Sequence, residues 1–515
     1  MKTYLRRNST LLITFLILIV FFITASRGMG AQDFYITLLR GLSAGSVVFL
    51  VAAGFSLIFG LLDVLNLAQG TLYMIGAYVG WTVFVRPDTF IDLLAPVVLL
   101  LTSLVLKSIL QPLAARIKLN LTPRRIVAWG LLVIAIVLVV IVLKRYPITM
   151  WDINNYTKGP VTYSFFADQD MRLPIENLVF EKISPVLAVV GLLVSSLIAG
   201  FGLTILGGEH QSSVKKPWRG VVFFVLMVAV AILFVIFNTP LTNWLVKIDS
   251  TWLFLIAVIV AIASGVGLGA AMETTLIRPL YNRPIYQLML TIGLSTMGVQ
   301  MVQAIWGRPA FTMPRPSIVK GSGEGCPATS FANWWQYKCA TIQFFEGRIR
   351  VYDEIIIPLI GIMVLIGVWI LLKRTRLGMV IRAGVQDRQM VEALGINVRR
   401  VFTLVFALGV GLATFGGVLA APSNGLSTTM GETLLTSALI ALAIGGLTSY
   451  PGAALGSLLV GLLQQFIIKF GQIGIAIPFT DIIFKPSPPL VPASTVLLMV
   501  IVLLFLPGGI MGKKE

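Results

Sequence analysis

The sequence contains few of the side chains on which soluble enzymes depend. Among its 515 residues only 12% are charged, one is a histidine and two are cysteines. A single histidine, His210, excludes a multi-histidine metal cluster and a Ser/His/Asp triad. The sequence also has no G-x-x-x-x-G-K-[ST] phosphate-binding loop, so the chain cannot itself be an ATPase of the usual kind. We therefore expect this chain to have no catalytic site, no metal site and no cofactor. We predict that it is not an enzyme.

Apolar residues, by contrast, make up 57% of the sequence and give it a mean hydropathy of +0.93. They occur in runs of about 17 to 25 residues, which match the hydrocarbon thickness of a bilayer and lack the alternation of barrel strands. The pattern predicts an all-α polytopic membrane protein, a bundle of about fourteen transmembrane helices. The predicted spans are 10–26, 36–59, 63–84, 92–110, 125–143, 186–207, 219–237, 252–276, 284–305, 355–373, 401–421, 433–448, 452–470 and 491–507.

Two junctions between neighbouring runs carry glycine, near 60–66 and 445–452, and we expect broken or re-entrant helices there. The glycines after Ile444 either let membrane helices pack closely or belong to a broken helix in which Gly445 and Gly446 line a pathway. Asp63 is the one ionisable residue of an apolar run that lies away from a helix end. It has either a role in the pathway or a solvated position at a helix break.

The formal net charge of +18 is explained by membrane topology rather than by nucleic-acid binding. With a cytoplasmic N-terminus, the inside segments hold 22 of the 39 basic residues and six acidic ones, a balance of about +16. The outside segments hold 17 basic and 15 acidic residues. This positive-inside bias predicts a multi-pass protein of the plasma membrane, with both termini in the cytoplasm and no nucleic-acid partner.

The N-terminal run and the two cysteines each allow two interpretations. The run follows three basic residues and is either an uncleaved helix or a cleaved secretory signal, whose candidate cleavage site lacks a small residue at its first position. Cys326 and Cys339 lie in the polar segment 306–354, which the predicted topology places outside. They form either a structural disulfide or two unpaired thiols.

The stretch RLGMVIRAGVQDRQMVEALGINVRRV, from Arg376 to Val401, separates two apolar runs. Asp387 can cap a short helix whose first turn begins at Arg388. Gly395 can end that helix in the left-handed conformation, which leaves about two turns. Such a helix is far too short to span a bilayer.

An apolar stripe runs along this short helix, formed by Met390, Ala393 and Leu394 at positions i, i+3 and i+4. The stripe is either a docking surface for a partner or the face by which a loop helix folds onto its own helix ends. The polar residues that face elsewhere are Arg388, Gln389 and Glu392, and the flanking basic residues are Arg374, Arg376, Arg382, Arg399 and Arg400.

At these residues the sequence resembles the permease subunits of branched-chain amino acid ABC importers, the Liv type. TRLGMVIRAGVQDRQMVEALGINVRRVFTLVFALGVGLATFGGVLAAP is very similar to that family's cytoplasmic loop and following helix. The matching positions are Arg382, Ala383, Asp387, Ala393, Gly395, Ile396 and Asn397. Three more blocks look like the family, and with the first they cover about half of the chain. They are GLSAGSVVFLVAAGFSLIFGLLDVLNLAQGTLYMIGAYVG, METTLIRPLYNRP and IGGLTSYPGAALGSLLVG.

The resemblance implies that the short helix is a coupling helix, which sits in a groove of a cytoplasmic ATPase and passes nucleotide-driven closure to the pathway. The implied coupling residues are Asp387, Arg388, Met390, Glu392, Ala393, Leu394, Gly395, Ile396 and Asn397. The implied partners are two ATPase subunits, a second permease subunit or a second copy of this chain, and an extracytoplasmic substrate-binding protein. The implied location is the plasma membrane of a prokaryote.

The chain departs from the family pattern in two places. Residues 92–250 have no counterpart in a typical member, and we predict an insertion with about four extra transmembrane helices and an outer loop. The usual N-x-A-H-G-E motif reads NLAQGT, so Gln69 and Thr71 replace a titratable pair near the pathway. The predicted organisation is an extra N-terminal helix or signal anchor at 1–35, permease core at 36–91, the insertion at 92–250, and permease core at 251–515 with the coupling loop 374–400.

We therefore predict the permease subunit of an ABC importer for branched-chain or related amino acids, which works by alternating access. Asn66, Gln69 and Thr71 are candidates for the pathway, with helix packing or capping as an equal alternative. An ion-coupled carrier is one rival prediction, and the near absence of buried carboxylates disfavours it. A membrane scaffold is the other rival, because it would keep the short helix without needing a polar pathway.

Overall fold

The computed structural model describes residues 29–114, 121–146, 148, 159–169, 183–206, 217–281, 283–344, 347–386, 388–476 and 483–512. Within these ranges the chain is almost entirely helical, which confirms the predicted all-α class. The first predicted span, 10–26, lies outside the described residues, so the choice between a cleaved signal and an uncleaved helix stays open.

The described part of the chain contains eighteen α-helices. They are α1 (Ala31–Leu62), α2 (Gln69–Val85), α3 (Pro87–Ala114), α4 (Leu121–Lys144), α5 (Gly159–Asp168), α6 (Pro185–Leu206), α7 (Pro217–Ile236), α8 (Asn238–Lys247), α9 (Ser250–Met272), α10 (Pro284–Trp306), α11 (Phe331–Tyr337), α12 (Ile357–Arg374), α13 (Arg376–Gln386), α14 (Arg388–Ala393), α15 (Val398–Asn424), α16 (Met430–Gly445), α17 (Tyr450–Ile473) and α18 (Leu490–Phe505). A π-helical turn, Glu273–Ile277, follows α9, and another, Val351–Ile356, precedes α12.

Nine of the described helical segments are long and apolar enough to cross a membrane, or ten when α7 and α8, bent by 66° at their junction, count as one span. The helices α2, α16 and α18 coincide with three further predicted spans but contain only 17, 16 and 16 residues. Such helices are about 24 Å long, whereas the hydrocarbon core is about 30 Å thick. Helix length thus supports nine or ten spans in the described part of the chain, with α2 at the lower limit of about 17 residues, and one of the fourteen predicted spans lies outside that part.

The chain forms two compact units, of which the first combines Met1–Trp81 with Ser250–Glu515. In this unit α1 packs against α15 and α17, and α9 packs along α15. Glycine makes the close approach of α1 and α17 possible, because a Cβ atom on Gly461 would lie 2.3 Å from the backbone nitrogen of Gly45. Small residues that admit a neighbouring backbone are the usual means by which membrane helices associate.

The second unit, Thr82–Asp249, contains α3 to α8. Its core is a cluster of buried apolar side chains from α3, α4, α6 and α7, namely Leu99, Val142, Ala188, Leu192 and Ala231. Many large apolar side chains of α4 remain exposed, as expected of a surface that faces lipid. The unit begins at Thr82, whereas the predicted insertion begins at residue 92, and the insertion itself stays a prediction.

The structure has a break at each of the two predicted places. The helix α1 ends at Leu62, and Asp63 follows in the left-handed conformation with φ of 54°, donating its backbone N–H to the carbonyl of Phe59. Aspartate tolerates this conformation better than most side chains do. The helix α16 ends at Gly445, and Gly446 has φ of 105°, a conformation that favours glycine.

A small hairpin lies between α11 and the turn that precedes α12. Its strands, β1 (Thr341–Phe344) and β2 (Gly347–Arg350), pair in antiparallel fashion, and a second pair is formed by β3 (Ile475–Ala476) and β4 (Ile483–Phe484). The structure joins Cys326 to Cys339 by a disulfide, and the Trp334 indole donates to the carbonyl of Cys339 at 3.1 Å. The disulfide closes a loop that contains α11 and lies directly before the hairpin.

Candidate functional site: a helical knob and the polar network beneath it

Two short helices, rather than the single one predicted, lie between α12 and α15. The predicted helix is α14, and α13 precedes it. The Thr375 hydroxyl caps α13 by accepting a hydrogen bond from the backbone of Gly378 at 3.1 Å. The sequence carried a signal for α13, because Leu377, Ile381 and Gly384 recur at helical spacing.

We call residues 388–397, which comprise α14 and the turn after it, the knob. The helix α14 ends as the sequence predicts. Gly395 takes the left-handed conformation with φ of 81°, and its N–H donates to the carbonyl of Glu392 at 3.0 Å. The next N–H, of Ile396, donates to the carbonyl of Val391 at 3.3 Å. Asn397 then caps α15 by accepting from the backbone of Arg400 at 3.2 Å. The predicted cap of α14, Asp387, lies outside the described residues.

One apolar side chain holds the knob to the rest of the first unit. Val391 is buried in a cluster with Val398 and Phe402. Tyr281 packs against the same cluster, and its ring meets the Phe402 ring edge-on at 6.2 Å between centroids. Val391 is not part of the predicted stripe, so sequence reasoning missed the residue that fixes the knob in place.

The predicted stripe faces away from this cluster. Met390 and Leu394 are 61% and 72% exposed, and Ala393 is also exposed. Glu392, Ile396 and Asn397 are exposed on the same short segment. The knob therefore rests on one apolar residue and presents others outward, which is the geometry of a docking element.

A buried carboxylate lies beneath the knob. Glu273 is fully buried in the π-helical turn after α9 and receives two charge-assisted hydrogen bonds from Arg278, at 3.1 Å from Nε and 2.8 Å from Nη2. The hydroxyls of Tyr281 and Thr403 also donate to it, each at 2.7 Å. A buried carboxylate is tolerated only when it is paired and hydrogen-bonded in this way.

This polar network connects the knob to two long helices. Tyr281 contacts both the Val391 cluster and Glu273, while Thr403 belongs to α15 and Glu273 follows α9 directly. The sequence signal was present in the block METTLIRPLYNRP, which contains the glutamate, the arginine and the tyrosine. Their convergence with Thr403, far away in the sequence, was not predictable from spacing.

Two of the predicted pathway residues meet at the break between α1 and α2. Asn66 and Gln69 are fully buried, and the Asn66 amide donates to Gln69 Oε1 at 3.2 Å. The Gln69 amide also donates to the carbonyl of Gly409 at 2.8 Å, and Asn66 Oδ1 accepts from the backbone of Ala68 at 3.2 Å. Such bonds satisfy backbone groups at a helix break, which favours the packing and capping interpretation.

The other predicted pathway residues lie in different surroundings. Thr71 contacts the Ser295 hydroxyl at 2.6 Å on α10, and Asp63 is exposed. Gly445 lies at the other break, where an added Cβ atom would be 2.0 Å from the carbonyl oxygen of Gly452. The neighbouring Gly446 adjoins the segment after α18, since an added Cβ there would be 2.7 Å from the nitrogen of Gly512. Both glycines are therefore positions of close backbone packing.

Metal ligands do not cluster at any of these places. The described residues contain no group of three or more His, Cys, Asp and Glu side chains that could hold a metal ion. The arrangement offers hydrogen bonds, one buried ion pair and exposed apolar surface. These suit docking and conformational coupling.

Comparison with known proteins places the chain among transport proteins. The family model described as "Branched-chain amino acid transport system / permease component" matches residues 225–507. The high-affinity branched-chain amino acid transport system permease protein LivH of Escherichia coli is 26% identical over 270 residues, which are 52% of this chain and 78% of that relative.

A second relative is the high-affinity branched-chain amino acid transport system permease protein BraD of Pseudomonas aeruginosa. It is 31% identical over 172 residues, which are 33% of this chain. The chain thus spans about half of BraD, 51% of its length. No solved structure gives a significant match. Because the family model matches more than half of its residues, the chain belongs to the family of permease components of branched-chain amino acid transport systems.

Proposed function

We propose that this chain is the transmembrane permease subunit of an ABC importer for branched-chain or related amino acids. It works by alternating access, and separate cytoplasmic ATPases supply the energy. Membership of the permease family supports this proposal. The knob is the structural feature that supports the proposal most strongly. Val391 packs against the rest of the unit, while Met390 and Leu394 are exposed.

The chemistry of the knob suits a groove on a protein partner. An exposed methionine and leucine on a short helix are anchors of the kind that fill a hydrophobic groove, and a few such anchors carry most of the energy of an interface. Exposed arginines flank the anchors, and they would form ion pairs at the polar rim of an interface. These arginines are Arg374, Arg376, Arg382, Arg399 and Arg400.

The polar network provides a mechanical link from the knob to the transmembrane helices. A displacement of the knob moves Val391 and therefore the Tyr281 and Phe402 side chains packed against it. Because Tyr281 and Thr403 both bind Glu273, the movement reaches α9 and α15 together. Two helices tied at one buried carboxylate move as a body, which is the behaviour that alternating access requires.

The assembly implied by this function has several parts. Two ATPase subunits bind at the knob side, and a second permease subunit, or a second copy of this chain, completes the pathway. A substrate-binding protein delivers the solute on the opposite side. In this assembly the knob and both chain termini are cytoplasmic, in the plasma membrane of a prokaryote.

The proposal is tested by purifying the chain with the ATPase that associates with it and reconstituting the assembly in proteoliposomes. We expect ATP hydrolysis to be stimulated by binding protein loaded with L-leucine, and leucine uptake to require ATP. Uptake driven by an ion gradient without ATP would establish the ion-coupled carrier instead. An assembly that neither hydrolyses ATP nor transports would support the scaffold.

A further inference from the structure

A cavity lies at the opposite end of the first unit from the knob. The helix α15 starts directly after the knob, and its last residues, Ser423 and Asn424, line the cavity. Its 27 residues extend over about 40 Å, more than the thickness of the hydrocarbon core. If the knob is cytoplasmic, as proposed above, the cavity opens on the outer face.

The cavity has the size of a small-molecule site. Its volume is about 310 Å³. Pockets for small ligands span about 300 to 1,000 Å³ and combine an apolar lining with a few polar groups. Its walls come from α1, α15, α16 and α17, and from the turn Val351–Ile356.

Charged side chains form one wall. Arg40 Nε donates to Glu354 Oε1 at 2.8 Å, and Arg315 Nη2 pairs with Asp353 Oδ2 at 2.8 Å. Arg350 approaches the same oxygen of Asp353 at 3.6 Å. Three guanidinium groups thus pair with two carboxylates, and the net charge of this set is +1.

The positive groups of this wall are the more accessible ones, since the side chains of Asp353 and Glu354 are only 15% and 1% exposed. The side chains of Arg40 and Arg350 are 44% and 57% exposed, so their remaining N–H groups can receive a ligand. The two carboxylates are held in fixed positions from behind, because Glu354 accepts from the backbone of Arg350 at 2.6 Å and Asp353 accepts from the Ser423 hydroxyl. An ionised carboxylate accepts up to about four hydrogen bonds, so each retains acceptor capacity.

Another part of the cavity lining is apolar. It includes Val47 and Val48 of α1 and Leu434 of α16. A ligand that fits this cavity therefore has a positive group, a negative group and an aliphatic portion. An aliphatic amino acid in its zwitterionic form meets all three requirements.

We propose that this cavity binds an aliphatic amino acid zwitterion at the outer mouth of the permease. The ligand carboxylate binds Arg40 and Arg350, its ammonium group binds Asp353 and Glu354, and its side chain packs against Val47. Because a zwitterion brings one charge of each sign, the existing ion pairs exchange partners without leaving a buried charge unpaired. A ligand with only one charge cannot do this, which gives the site its selectivity.

This inference rests on the proposed function and adds the place where the permease receives its solute. The test uses the complete assembly with its ATPases in lipid nanodiscs, without binding protein. Radiolabelled L-leucine is the probe, and saturable binding is expected. Two competitors each lack one charge: 4-methylpentanoate has no ammonium group and isopentylamine has no carboxylate. We expect both to displace leucine at least about tenfold less well than unlabelled leucine does.

Arg350→Gln is the decisive variant, because this side chain is largely exposed and its loss perturbs the fold little. We expect leucine affinity to fall about tenfold or more, as for the loss of a charge-assisted hydrogen bond. The matched control is Arg348→Gln, which makes the same change two residues away on β2 and does not touch the cavity lining. Equal affinities in the two variants would overturn the proposal, and so would singly charged competitors that displace leucine as well as leucine itself does.

The same preparation separates failure of the site from failure of the proposed function. An assembly that hydrolyses ATP on addition of loaded binding protein, yet binds no leucine without it, contradicts the cavity site alone. An assembly with leucine binding sensitive to Arg350→Gln but without stimulated hydrolysis supports the site and contradicts the importer.

Discussion

The two ends of α15 present opposite chemistry. At the knob end the exposed side chains include Met390 and Leu394, and the charged pair of Glu273 and Arg278 lies beneath. At the cavity end the lining combines charged side chains with aliphatic ones. Exposed apolar anchors suit a protein partner, whereas a cavity lined by charges of both signs suits a small zwitterion. We therefore expect substitutions at the knob end to alter coupling and those at the cavity end to alter solute binding.

The largest expected effect is at the buried carboxylate. Glu273→Ala removes the acceptor shared by Arg278, Tyr281 and Thr403, and the loss of a hydrogen bond to a charged group costs about 1.5 to 3 kcal/mol. The free energy of unfolding in detergent should fall by that order. Glu432→Ala, at an exposed glutamate of α16, is the control and should change stability little. Equal stabilities of the two variants would show that the network does not hold the knob end together.

Glu273→Gln removes the charge but keeps the size of the side chain, so it separates coupling from stability. In a variant that still folds, leucine binding at the cavity should persist while ATP hydrolysis no longer drives uptake. Reduced leucine binding in this variant would contradict the assignment of coupling to the knob end and of solute binding to the cavity end.

The next effect is at the knob surface. Leu394→Asp places a charge on the side chain that we propose as a central apolar anchor of the knob. The loss of such an anchor weakens binding at least about thirtyfold. We expect ATP-driven leucine uptake to fall by that order at normal protein levels. Met379→Asp is the control, because Met379 is similarly exposed on α13 and outside the knob. Unchanged uptake in Leu394→Asp would remove the knob from the coupling mechanism.

The smallest effect is expected between the two ends, at the break after α1. Asn66→Ala removes a hydrogen bond to the backbone of Ala68 and one to Gln69, which together stabilise the fold by about 1 kcal/mol. Unfolding measurements should detect that loss, while the concentration dependence of leucine uptake should stay the same. A changed KM with normal stability would instead support the pathway interpretation of Asn66.

Much of this architecture could be predicted from the sequence, because the relevant signals are local. The apolar runs define the helices, and Gly395 after an apolar stripe predicts the left-handed end of the knob. The two helix breaks also have local sequence signals, because Asp63 and Gly446 themselves adopt the positive φ angles found there. The prediction lacks α13, because its short polar sequence is typical of a loop although its apolar residues recur at helical spacing.

The parts that could not be predicted depend on residues far apart in the sequence. The Val391 side chain is buried only because Phe402 and Tyr281 pack on that side of the knob. Glu273 is satisfied by Thr403, which belongs to another helix. The cavity combines side chains from Arg40 to Gln464, and no spacing rule brings them together. Periodicity identifies which face of a helix is apolar, but tertiary packing decides what that face contacts.

Crosslinking from Leu394→Cys shows whether an ATPase binds the knob. The introduced thiol is selectively reactive, because the sequence has only two other cysteines and the structure joins them to each other. With a short thiol-reactive crosslinker, we expect a covalent adduct between the variant and the copurified ATPase, with a yield that changes when ATP binds. An adduct only within the chain itself, in a preparation that contains the ATPase, would contradict the account.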